Sequence, residues 1–132
     1  MSDVEQFALH YCDRIVEEDT MEAGVEGYYT AEDDTIHISP RLNDVQRTCV
    51  LAHESSHAYH RDTYSSKWKE ERANEEAARL LINVDEYAAL ERVNDNVWWL
   101  ARELGVMPWA VMAFRRYLSS AGLLRMEQDW VE

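Results

Sequence analysis

The most constraining feature of this sequence is the segment from Thr35 to His60, in which the hydrophobic period changes once, at a proline. Its first five residues, 35–39, alternate polar and apolar side chains, which is typical of a β-strand. Pro40 ends that pattern, because proline has no backbone N–H to donate. One helical face then follows and is marked by Leu42, Val45, Cys49, Ala52, Ser56 and Tyr59. The segment therefore predicts a strand that leads into a long helix.

A partner for that strand is predicted just upstream. Residues 25–30 have strand character, and the polar residues 31–34 separate them from the strand at 35–39. This order is typical of a β-hairpin with a four-residue turn. Further upstream, the apolar residues of the segment from Val4 to Glu18 recur at helical spacing and predict a first helix.

Helical patterns dominate the rest of the chain. After a polar loop at 61–67, they cover about 68–81, 85–94, 96–104 and 108–121. We therefore expect an α+β fold that is mostly helical, with one small hairpin and a helical C-terminal region. No linker or repeat divides the sequence, so we expect a single domain over residues 1–132, with a core at 1–83 and the helical region at 84–132.

Composition and charge exclude several classes of function. The 132 residues are 46% hydrophobic, which indicates a folded domain rather than a disordered chain. The net charge of −13 repels phosphates, so we expect no direct nucleic-acid partner. No apolar stretch approaches the roughly 20 residues that cross a bilayer, and the acidic N-terminus lacks a signal pattern, so we expect a cytoplasmic protein without a membrane partner. Cys12 and Cys49 lie in apolar patterns that favour two reduced, buried thiols.

The predicted long helix carries the motif His53-Glu54-Ser55-Ser56-His57, an H-E-x-x-H. Residues four apart on a helix differ by about 40° in azimuth, so both imidazoles can face one metal ion. Glu54 lies about 100° from His53, where its carboxylate reaches a metal-bound water more easily than the metal. This arrangement predicts two histidine ligands and a general base.

A catalytic zinc ion of this kind needs a third protein ligand. Glu70 and Glu71 begin the next predicted helix, and both are candidates. We favour Glu70, because Asn74 stands one turn beyond it and is placed to accept a hydrogen bond from the free ring N–H of a ligand histidine.

These motifs resemble those of the ImmA/IrrE family of zinc metallopeptidases. The matching residues are Leu51-Ala52-His53-Glu54-Ser55-Ser56-His57, Glu70-Glu71-Arg72-Ala73-Asn74 and Ala78-Arg79-Leu80-Leu81. The resemblance implies a gluzincin-like fold and a bound Zn²⁺. In phage and mobile-element members it also implies a protein substrate, a helix-turn-helix repressor whose cleavage lifts repression.

The zinc hypothesis leads to a mechanism and to further candidates. Zinc lowers the pKa of its bound water to about 7, and Glu54 would take the proton as that water attacks a peptide carbonyl. We expect an extended substrate to pair with the edge of the strand at 35–39. Three residues are candidates for contacts with the substrate or the oxyanion, namely His60, Tyr64 and His37.

The alternative is a non-catalytic protein. Residues 100–117 follow a helix-turn-helix apolar template around Gly105, which is typical of a DNA-binding module. The residues that would enter the groove, 107–110, offer almost no donors for base edges. Helix packing or protein docking is therefore the better interpretation of this pair. An acidic interaction protein with a structural or relic metal site remains the rival of the enzyme.

Overall fold

A computed structural model describes residues 2–19 and 22–122. Six α-helices and three strands follow one another within these residues. They are α1 (Asp3–Ala8), β1 (Arg14–Glu17), β2 (Gly27–Thr30), β3 (Thr35–Ile38), α2 (Asp44–His60), α3 (Lys67–Leu81), α4 (Val84–Val93), α5 (Val97–Leu104) and α6 (Pro108–Tyr117), followed by a π-helical turn at Leu118–Gly122. The α+β, mostly helical fold class is confirmed.

The sheet has the order β1-β3-β2. The hairpin prediction is confirmed, since β2 pairs antiparallel with β3. β1 pairs with the other side of β3 in parallel. The expectation that a substrate pairs with the strand at 35–39 is therefore wrong, because β3 is central and both of its edges are already occupied. The free edges belong to β1 and β2.

The prediction of one helix from Val4 to Glu18 is also wrong beyond Ala8. The chain turns there and residues 14–17 form β1. Ile15 and Val16 are β-branched and favour a strand, although their spacing from the earlier apolar residues suits a helix. Pairing with the otherwise open edge of β3 adds backbone hydrogen bonds that a longer helix could not supply to the sheet.

Helix α2 is fixed at both ends by local contacts. Asn43 accepts a hydrogen bond from the backbone N–H of Gln46, whose side chain accepts one from the N–H of Asn43, which makes a capping box. At the other end Arg61 adopts a left-handed backbone with φ 53°. The backbone N–H of Asp62 then donates to the carbonyl of His57 over 2.9 Å, as in a Schellman motif.

Two clusters of buried side chains meet along α2. One joins α1, β3 and the inner residues of α2, and the other joins α3 with α4, α5 and α6. Trp109, near the start of α6, packs against both clusters. Since α6 is buried through Ala110, Val111 and Phe114, its inner face is used for packing. The division into regions 1–83 and 84–132 stays a prediction.

Two further expectations concern cysteines and membranes. Cys12 and Cys49 are free and buried, as predicted. Cys49 Sγ accepts a hydrogen bond from the backbone N–H of Met107, so it is a core residue. Among the described residues, no helix combines the length and the apolar character required to cross a membrane.

The aromatic character of Trp98, Trp99, Trp109 and Trp130 favours positions in the core. This expectation is wrong for Trp98, which is 72% exposed, and Trp130 lies outside the described residues.

Candidate metal centre

Three side chains from α2 and α3 converge at one point. His53 Nε2 lies 2.9 Å from Glu70 Oε1, and His57 Nε2 lies 3.0 Å from Glu70 Oε2. Each residue offers a potential ligand atom, and these atoms lie within 4.8 Å of one another. The structure thus brings Glu70 to the two histidines. Glu71 points elsewhere and lies 4.0 Å from Lys67 on the same helix.

The outer nitrogens of both imidazoles face hydrogen-bond acceptors. His53 Nδ1 lies 2.8 Å from the side-chain oxygen of Asn74, the partner proposed from the sequence. His57 Nδ1 lies 2.8 Å from a carboxylate oxygen of Asp62. An acceptor at Nδ1 requires a proton there, so each neutral imidazole presents a lone pair at Nε2.

This tautomer makes the three side chains suited to a cation. Without a cation, the Nε2 lone pair of each histidine would face a carboxylate oxygen of Glu70 at about 3 Å. Both atoms of each such pair are hydrogen-bond acceptors. Only extra protons on the histidines or a bound cation can relieve that repulsion. Two imidazoles and one carboxylate form the ligand set of catalytic zinc sites, which leave a fourth position for water. The donor chemistry therefore fits the metal that the resemblance implies.

Asp62 is the residue of this site that the sequence did not indicate. Its side chain is 8% exposed and binds both His57 Nδ1 and the guanidinium of Arg72. Lys69 Nζ lies 3.7 Å from its second oxygen. A carboxylate behind a ligand histidine orients the ring and raises its basicity. The sequence provides little indication of this contact, because Asp62 lies past the end of α2. Asp62 reaches His57 only because Arg61 takes the left-handed conformation and turns the chain back.

Glu54 occupies the position expected of a base. It is 5% exposed, and among the described residues nothing donates a hydrogen bond to its Oε1. Its Oε2 lies 3.8 Å from His53 Nε2. Burial raises the pKa of this carboxyl above its ordinary value of 4.5, although His53 and His57 act in the opposite direction. A buried carboxylate with one free oxygen at the metal ligands can hold and transfer a proton.

The pKa values of two candidate metal ligands, His53 and Glu70, are also shifted. When the His53 ring carries a proton on both nitrogens, its Nε2 donates a hydrogen bond to Glu70. This bond is the largest influence on Glu70 and, together with one from Ser65 Oγ, lowers the pKa of Glu70 to about 2. Burial acts to lower the pKa of His53, but its contacts with Glu70 and Glu54 outweigh burial and leave that pKa raised. The carboxylate is therefore ionised and available as a ligand throughout the neutral range.

Two cavities open on either side of Glu54 and Glu70. The first has a volume of about 260 Å³ and is also lined by residues 27–29 of β2, by His57 and by the loop from Asp62 to Ser65. The second has a volume of about 380 Å³ and lies beside His53 and Asn74. Gly27 lines both cavities. These two cavities, which share Gly27, Glu54 and Glu70, together make the cleft beside the candidate base.

The other predicted residues lie at varying distances from this cleft. Tyr64 lines the first cavity, and its ring lies 3.5 Å from Lys69 Nζ. His60 instead binds Glu76, at 3.0 and 3.1 Å, on the interface between α2 and α3. His37 is half-buried, stacks on Tyr28 and binds Thr30. Neither histidine is among the described residues that line the two cavities.

Comparison with known families agrees with this geometry. The IrrE N-terminal-like domain, Peptidase_M78, matches residues 14–112. The chain belongs to this family. The match extends from β1 over the two helices that carry the candidate ligands to the first half of α6. It supports a metallopeptidase-type function with a protein substrate. No curated protein and no solved structure matches the chain.

Proposed function

We propose that this protein is a zinc-dependent endopeptidase. The observation that carries the proposal is the convergence of His53, His57 and Glu70 next to the buried carboxylate of Glu54. His53, His57 and Glu70 would hold the zinc ion, which supplies an activated water and polarises the scissile carbonyl. Family membership supports the peptidase class and leaves the metal and the substrate as parts of this proposal.

Glu54 is the proposed general base. Its free Oε1 would accept a proton from the attacking water and later deliver it to the leaving amine. Burial favours the protonated form of this carboxyl, so Glu54 can hold the proton until it passes to the leaving amine. Asn74 and Asp62 act on the histidines and not on the substrate, since each binds an outer ring nitrogen.

The free edge of β2 is the proposed binding surface for the substrate backbone. Glu26 accepts a hydrogen bond from the N–H of Ser39, so the backbone groups of Glu26 and Tyr28 face β3. The alternation of strand geometry then directs those of Gly27 and Tyr29 to the open edge, and both residues line the first cavity. A peptide in the cleft can add to this edge as a further strand.

Gly27 permits this close approach. A Cβ atom at this position would lie 2.7 Å from Val50 Cγ1 and 3.6 Å from Glu54 Cγ. The absence of a side chain therefore lets the edge strand pack directly on α2, next to the candidate base. Tyr64, which also lines the first cavity, is the described candidate for a contact with the oxyanion.

The proposed substrate is a helix-turn-helix repressor. The resemblance to phage and mobile-element relatives motivates this choice, and the charge of −13 suits a DNA-binding protein with a basic surface. Such a substrate would place the reaction in the cytoplasm.

The substitution Glu54→Gln provides the first test. The variant should retain about one zinc ion per chain, since Glu54 is not a ligand, and should lose cleavage of a co-expressed repressor by at least a hundredfold. Metal analysis and cleavage of the repressor measure the two properties separately. Glu71→Gln, which removes an exposed charge from the start of α3, is the matched control. A wild-type protein that binds no zinc, or a Glu54→Gln variant that still cleaves, contradicts the proposal.

A further inference from the structure

The cavity beside His53 combines an apolar wall with an acidic residue. Its apolar surface comes from Val25, Val50 and the indole of Trp109, and the exposed carboxylate of Glu26 lies at its rim. The Trp109 ring stands edge-on to the His53 ring, with the centroids 5.9 Å apart. Since Trp109 belongs to α6, the C-terminal helical region forms part of the cleft.

The acidic side chains that line this cavity divide into two sets. Glu54 and Glu70 belong to the candidate metal centre, where a bound cation would offset their charge, whereas Glu26 lies outside it. Among the described residues, no lysine or arginine lines the cavity. Glu26 has no basic partner in the part of the chain that the structure describes, in contrast to Asp62, which pairs with Arg72. A negative rim over an apolar wall matches a side chain with an apolar stem and a cationic end.

We propose that this cavity, the indole subsite (Val25, Glu26, Val50 and Trp109), binds an arginine or lysine side chain of the substrate next to the scissile bond. The proposal rests on the proposed peptidase function and names its substrate class. The aliphatic stem packs on Val50 and Trp109, and the cation lies near the carboxylate of Glu26. Arginine is preferred over lysine, because a planar guanidinium also stacks on an indole face.

Position-specific peptides test this subsite. A peptide that the wild type cleaves, found in a mixture of proteome-derived peptides, is resynthesised with one arginine moved along it, so that the total charge stays constant. We expect one position next to the bond to raise kcat/KM about tenfold over a glutamate there. A preference for leucine at every position next to the bond, or an equal effect of arginine at all positions, would overturn the proposal.

Substitutions then assign the preference to named residues. Glu26→Gln should remove most of the preference for arginine, and Glu26→Lys should reverse it in favour of glutamate. Glu22→Gln is the matched control, because it removes an equal charge from the same exposed loop, outside the cavity lining. Equal effects of Glu26→Gln and Glu22→Gln would also overturn the proposal. Trp109→Leu should weaken binding of both basic residues, whereas Trp98→Leu, on an exposed tryptophan, should not.

A binding measurement separates failure of the subsite from failure of the peptidase. The Glu54→Gln variant, loaded with zinc, is titrated with arginine-containing and glutamate-containing hexapeptides. Tighter binding of the arginine peptides that is lost on adding Glu26→Gln supports the subsite. It does so even if the wild type cleaves no peptide, because failure to cleave contradicts only the proposed function. Equal binding of both peptides contradicts the subsite alone.

Discussion

The two histidines of the candidate metal centre are supported by different chemistry. His53 is held through the neutral amide of Asn74, at 2.8 Å. His57 is held at the same distance through the buried carboxylate of Asp62, which in turn binds Arg72. A charged partner stabilises positive charge on the imidazole more strongly than an amide does. The His57 side should therefore contribute more to metal affinity, although the two ligands are equivalent in the motif.

The first prediction concerns Glu70, the residue that contacts both histidines. Glu70→Gln removes the carboxylate that faces both Nε2 atoms, and we expect the affinity for zinc to fall by more than about a hundredfold. Competition with a chromogenic chelator measures this affinity. Glu71→Gln should leave it within about twofold, because that side chain faces away from the histidines. The assignment of the third ligand fails if the two variants behave alike.

The second prediction compares the two residues behind the histidines, Asp62 behind His57 and Asn74 behind His53. We expect Asp62→Asn to lower the affinity for zinc towards the upper end of the range of about 10–100-fold that outer partners of metal ligands show. Asn74→Ala should lie at the lower end, since it removes a neutral acceptor from a half-buried ring. The same chelator competition ranks the variants. An equal or larger loss in Asn74→Ala would contradict the argument from charge.

The contrast also shows what the sequence can and cannot predict about the site. Helical spacing relates His53 to His57 and Glu70 to Asn74, so local geometry is enough to group them. Asp62 follows a helix end whose left-handed residue is an arginine, and neither glycine nor asparagine marks the turn. Its contact with His57 depends on a backbone conformation that residue preferences do not favour.

Long-range pairing accounts for the errors in the fold. The hairpin was predictable, because β2 and β3 are joined by a short turn. β1 was not predictable, since it lies upstream of the hairpin and pairs with β3 in parallel. In that register Arg14 lies opposite Thr35, and Glu17 lies opposite Ile38. A parallel partner leaves no turn signal in the sequence. For the same reason, the sequence did not show that β3 is central or that β2 borders the cleft.

The third prediction concerns stability in the absence of metal. Burial raises the pKa of Glu54, so ionising it costs folding free energy. The stability that its neutral form provides is complete below the unfolded value of about 4.5 and is lost as the pH rises through the folded pKa. Glu54→Gln should therefore raise the melting temperature by a few degrees at pH 7 and by less at pH 4. Thermal melts of chelator-treated protein test this, and a destabilised variant at pH 7 contradicts it.

The smallest effect expected comes from the turn that places Asp62. Arg61 has a φ of 53°, which costs a non-glycine residue about 1 kcal/mol, and its exposed guanidinium lies 3.6 Å from the partly buried carboxylate of Asp34. Arg61→Gly should be more stable than Arg61→Ala by about 1 kcal/mol, since both lose the ion pair and only alanine keeps the steric cost. Urea unfolding measures the difference. A contrary outcome is that the two variants are equally stable while Arg61→Gly binds zinc more weakly. In that case the rigidity of this turn, rather than the charge of Asp62, explains why His57 contributes more than His53 to metal affinity.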